Sequence, residues 1–76
     1  MSVKVFEQEV ELSFDNGVED GVINISTEGC TEDIIELYTS VGNVGEKGCK
    51  TQSINVDKKD FIKFLKSSIE LLEGEG

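Results

Sequence analysis

The sequence predicts an α+β fold: an antiparallel four-stranded sheet in β-β-β-β-α order, with one C-terminal helix packed on one face. Three observations predict it. Apolar and polar residues alternate along residues 4–14, an Asn-Gly pair follows that alternation, and near the C-terminus apolar residues recur at spacings of three and four.

In the first segment Phe6, Val10, Leu12 and Phe14 share one side with Gln8, while Glu7, Glu9, Glu11 and Ser13 share the other, as in a half-buried strand. Asp15-Asn16-Gly17 follows. Asn-Gly favours a two-residue type I′ turn, in which both central positions take positive φ. With Asn16 and Gly17 there, Asp15 faces Val18, Val10 faces Ile23, Gln8 faces Ile25 and Leu12 faces Gly21. The apolar residues of both strands then fall on one side. A longer loop through Glu19-Asp20-Gly21 is the other reading of the same residues.

Residues 28–33 read as a loop. A third strand over about 34–41 turns Ile35, Leu37 and Val41 inward and Glu36 and Tyr38 outward. The glycine-rich connector Gly42–Gly48 is long for a hairpin and is the internal segment expected to move most. A fourth strand over about 49–56 turns Ile54 and Val56 inward. Asp57 then caps a helix expected over 58–73, with Phe61, Leu65, Ile69 and Leu72 as its apolar stripe and Gly74 as its stop.

Seventy-six residues suit a single small acidic domain, 1–76. A chain this short buries only about 60% of its unfolded surface, which makes a homodimer a natural source of extra core. The absent residue types restrict function further. There is no His, Arg, Trp, Pro or Ala. Without His the chain has no side chain whose unperturbed pKa lies near neutrality, no Ser–His or Cys–His nucleophile and no imidazole metal ligand. Without Arg it has no bidentate fork for phosphate or guanine. No phosphate loop, HExxH or nucleophile elbow appears. The expectation is a non-enzyme with neither cofactor nor metal. Asp15–Gly21 resembles a calcium loop only superficially, because Gly17 replaces a ligand and Asp20 occupies the turn-glycine position.

No apolar run nears the roughly 20 residues that span a bilayer, and the first residues are unlike a secretory signal, so a cytoplasmic, non-membrane protein is expected. Cys30 and Cys49 lack zinc-site spacing, and in a meander they fall at opposite ends of the sheet, so both are expected as free thiols.

Charge is unevenly distributed. Residues 1–36 hold ten acids against Lys4, whereas residues 37–76 hold six acids and six lysines, so the first part carries the whole net charge of −9. Glu7, Glu9 and Glu11 would stand about 6.7 Å apart, twice the strand rise. Such a row serves either as a solvated face that keeps a small protein soluble, or as a docking surface for a basic partner that normally grips nucleic acid. A carboxylate site for a hard cation is the third reading. The candidate partner-binding residues are Glu7, Glu9, Glu11, Asp15, Glu19, Asp20, Glu36 and Tyr38. Lys58, Lys59, Lys63 and Lys66 crowd the start of the helix, against the favoured direction of its dipole, and form the chain's main basic patch.

These features lead to a non-catalytic binding or inhibitor protein that sets a negative sheet face on a basic protein surface. In size and charge it is analogous to phage-encoded anti-defence inhibitors and nucleic-acid mimics. The alternative comes from Ile54-Asn55-Val56-Asp57 leading into Phe61 and Leu65. That passage resembles the strand-to-helix junction of the PC4-like single-stranded DNA-binding coactivators. The resemblance covers about twenty residues and implies a transcription-accessory dimer of the same β-β-β-β-α topology; on this sheet only Tyr38 is positioned as an outward stacking platform. Against direct nucleic-acid binding stands the outward face itself, because counterion release rewards lysine and arginine rather than glutamate.

Overall fold

A computed structural model describes residues 2–74; residues 1, 75 and 76 of the expected domain lie outside that description. Five strands run up and down in chain order, each antiparallel to the next: β1 Ser2–Val5, β2 Glu9–Asp15, β3 Glu19–Ser26, β4 Ile34–Asn43 and β5 Lys50–Asp57. Helix α1, Lys58–Ile69, follows β5 without a loop and runs on into a π-helical turn, Glu70–Gly74. The α+β class, the antiparallel sheet and the C-terminal helix agree with expectation. The strand count does not.

The extra strand comes from residues 4–14, which form a hairpin rather than one strand. Phe6 N donates to Glu9 O at 2.8 Å, and Val5 pairs with Val10 and Val3 with Leu12. The cause is a change of phase. Val3 and Val5 sit at odd positions, while Val10, Leu12 and Phe14 sit at even ones. One continuous strand would send these sets to opposite sides, whereas a turn at residues 6–8 brings them together.

The next hairpin keeps its faces but shifts its register. Val10 pairs with Ile25, Leu12 with Ile23 and Phe14 with Gly21, two residues away from the alignment that a type I′ turn dictates. That turn does not form, because among the described residues no non-glycine takes positive φ; only Gly17 of the pair does, at +91°. Asn16 instead acts through its side chain. Its Oδ1 accepts from Val18 N at 2.9 Å and from Glu19 N at 2.7 Å, while Asp15 Oδ1 accepts from Gly17 N at 2.9 Å. These Asx-type bonds hold a longer loop. A shift of two, matching the side-chain period, leaves every residue on its expected side.

Rows of paired residues cross the whole sheet. On one side Val5, Val10, Ile25, Leu37 and Ile54 form a row, beside Val3, Leu12 and Ile23. On the other side run Lys4, Glu11, Asn24, Tyr38 and Ser53, next to Glu9, Ser26, Glu36 and Asn55. β4 reaches Asn43 and β5 starts at Lys50, so the connector shortens to residues 44–49.

The helix begins as its capping residue dictates. Asp57 is extended, and its Oδ2 accepts from Asp60 N at 3.2 Å. Lys58 N donates to Asp33 O at 2.8 Å, tying the helix start to the entry of β4. The expected extent of 58–73 holds along the axis, but the last turn widens. Ser68 Oγ bonds back to Phe64 O at 2.7 Å, and Glu70 N divides between Lys66 O and Ser67 O. Contrary to expectation, α1 does not lie across a sheet face. It meets the sheet mainly along β5, and its apolar stripe stays exposed apart from a half-buried Phe61. The missing loop at Asp57–Lys58 accounts for this, because the chain has no residues with which to turn back. Among the described residues Ile35 is the one buried apolar side chain.

At Gly21 the backbone of β4 leaves no room for a side chain on β3. A Cβ there would run into the Ser40 carbonyl oxygen and stand 2.9 Å from Val41 Cα. Gly21→Ala is expected to lower stability by about 1–3 kcal/mol, the usual cost of overpacking, seen as a lower urea midpoint at unchanged slope.

Candidate functional site

The polar side of the sheet brings together a subset of the expected residues. Glu9 and Glu11 stand on β2, and Glu36 and Tyr38 on β4, with Asn24 and Ser26 of β3 between them. Strands two places apart are separated by about 9.6 Å, so the carboxylates surround the shorter Asn24 and Ser26. The result is a depression of about 320 Å³ lined by Glu9, Glu11, Val22, Asn24, Ser26, Glu36 and Tyr38.

Two carboxylates are held in place. Glu9 Oε1 accepts from Asn24 Nδ2 at 2.7 Å, and Glu36 Oε2 accepts from Ser53 Oγ at 2.5 Å. Asn24 is 9% exposed, the lowest exposure of any polar side chain among the described residues. Bonds to a charged acceptor are the stronger kind, so these carboxylates keep their positions before anything binds. Two like charges about 6.7 Å apart repel by only about 0.6 kcal/mol in water, which the fold tolerates easily. A cation about 4 Å from each carboxylate gains about 1 kcal/mol per contact in water and about 4 at the effective dielectric of a protein surface. Tyr38 adds an aromatic face at the rim.

The remaining expected residues lie elsewhere. Glu7 is in the β1–β2 turn, off the row that it was expected to extend. Asp15 and Asp20 pair with each other on the polar side, at the far end of β2 and β3. Glu19 shares the apolar side by alternation and pairs with Asn43. It lines a second cavity, of about 520 Å³, together with Glu46, Lys47 and Lys50, where acids and lysines are mixed. The acidic depression holds three carboxylates and no lysine.

Asn24, Ser26 and Ser53 were not anticipated. The signal for Asn24 was its place in Val22-Ile23-Asn24-Ile25-Ser26, a lone amide set between two isoleucines. Both cysteines are free. Cys30 Sγ lies 3.8 Å from Ser26 O, and Cys49 Sγ lies 3.2 Å from Ser40 Oγ, in loops at opposite ends of β4. Among the described residues no helix is long and apolar enough to cross a membrane. No family model, curated protein or solved structure matches the chain.

Removing the amide that orients Glu9 should cost a charged hydrogen bond. Asn24→Ala is expected to lower stability by about 1.5–3 kcal/mol in urea unfolding, and to broaden the Glu9 and Glu11 side-chain signals in NMR spectra.

Proposed function

We propose that this protein is a non-catalytic binding protein whose acidic sheet face docks on a basic surface of a protein partner. The observation that carries this reading is the depression where Glu9, Glu11 and Glu36 meet Tyr38 over the buried Asn24. A lysine or arginine side chain of the partner suits it. The carboxylates supply charge-assisted acceptors, the tyrosine ring supplies a cation–π contact, and two acceptors are already oriented. Asp15 and Asp20 continue the negative potential along the same side and would speed encounter with a positive surface.

A partner that normally grips nucleic acid fits best, because its groove presents basic side chains at close spacing. Occupying that groove would inhibit it, which is the logic of an inhibitor that mimics nucleic acid. The same potential repels phosphate, so a single DNA strand is a poor ligand for this face.

The test is titration of the labelled full chain with a lysine- and arginine-rich peptide, followed by NMR at low and high salt. Shifts should concentrate on residues 9, 11, 24, 36 and 38 and weaken steeply with salt. Combined Glu9→Gln, Glu11→Gln and Glu36→Gln should weaken binding by about tenfold or more, at least 1.4 kcal/mol. The control, Glu28→Gln with Glu32→Gln and Asp33→Asn, removes the same charge from the β3–β4 loop and should have a much smaller effect. Equal losses in both triple variants would mean that net charge, not this depression, does the binding. A shift of single-stranded DNA on a gel would favour the coactivator-like alternative.

A further inference from the structure

Two large apolar surfaces of this chain are left uncovered by its own fold. One is the sheet side, where Val5, Val10, Ile23 and Ile54 are each more than 40% exposed. The other is the stripe of α1 and its π-helical turn, where Phe64, Ile69 and Leu72 are 60%, 53% and 82% exposed. α1 does not reach the face of its own sheet, since it leaves β5 without a loop.

The uncovered area has the size of a missing interface. The chain exposes 6036 Å², about 1,400 Å² more than the roughly 4,600 Å² expected of a folded 8.3 kDa monomer. A standard interface removes about 800 Å² from each partner, and obligate homodimers remove about 1,000 Å² or more from each. The radius of gyration agrees: it is 14.0 Å, against about 11 Å for a compact chain of this length.

We propose that these surfaces form the interface of a two-fold homodimer, in which the helix stripe of each copy lies on the apolar sheet face of the other. An apolar sheet face needs a second layer, and an apolar helix stripe needs a face to lie on. One chain supplies one of each, so a single two-fold axis satisfies both in both copies. The dimensions fit. The 12 residues of α1 and the 5 of the π-helical turn extend about 25 Å, and five strands span about 19 Å. Charge favours the same arrangement. Each chain carries −9, and closing through the apolar side keeps Glu9, Glu11 and Glu36 of the two copies on outer surfaces. The homodimer stands whether or not the acidic face binds a basic partner.

The decisive measurement is sedimentation equilibrium of the full chain from low-micromolar to submillimolar concentration, with thermal unfolding across the same range. A species of twice 8.3 kDa is expected, with an unfolding midpoint that rises with concentration. In a mixture of labelled and unlabelled chains, intermolecular NOEs should link the methyls of Ile69 and Leu72 to those of Val10 and Ile23. Leu65→Glu should weaken self-association by about tenfold or more, whereas Lys63→Glu, on the opposite side of the helix, should leave it intact. A monomer whose midpoint is independent of concentration would overturn the proposal. So would a dimer whose intermolecular NOEs fall on Tyr38 and Asn24, or undiminished association of the Leu65→Glu variant.

Discussion

A pleated strand has only two sides, and in this protein the pairing register decides everything that follows. Each of the five strands is aligned so that most of its apolar residues, Val22 and Ile34 excepted, share a side with those of its neighbours, from Val5 through Val10, Ile25 and Leu37 to Ile54. Once that row is set, the intervening residues have no choice. Lys4, Glu11, Asn24, Tyr38 and Ser53 must stand together on the reverse. The acidic depression is therefore a by-product of burying valines and isoleucines. A one-residue slip of any strand would destroy both surfaces together.

The two surfaces differ in how complete they are. The polar one is finished within a single chain: its central amide is buried, and two of its carboxylates already have hydrogen-bond partners. The apolar one is unfinished, because the helix that could have covered it leaves along β5. Small chains have little surface to spare for such an arrangement, and hydrophobic burial is the dominant favourable term in folding. The apolar side thus holds what folding would gain most by covering, while the charged side needs no second layer.

Much of this was legible in the residues. The helix start at Asp57, the inward positions on β4 and β5, and the grouping of Glu9, Glu11, Glu36 and Tyr38 all follow from period and capping chemistry. Three features were hidden, each for a physical reason. The β1–β2 turn at Phe6-Glu7-Gln8 contains neither glycine nor proline, and only the odd-to-even change from Val5 to Val10 betrays it. The Asn16-Gly17 turn follows side-chain hydrogen bonding rather than the backbone preference of the pair. The uncovered helix depends on the absence of a loop, which periodicity does not register. Glu7 left the candidate face through the first of these, into a turn, whereas Glu19 stands on the apolar side by strand alternation alone, in either register.

An open meander also retains two rims, and here each is guarded differently. β1 is only 4 residues long and places Lys4 at its middle, so it offers an incoming strand few hydrogen-bonding groups and an unwelcome charge. β5, at 8 residues, is the longer invitation. It opens with Lys50 and runs straight into a helical turn carrying Lys58 and Lys59. Brevity guards one rim, while charge and a sudden change of backbone geometry guard the other. A thin, uncovered sheet is in this way kept from growing sideways into a ribbon.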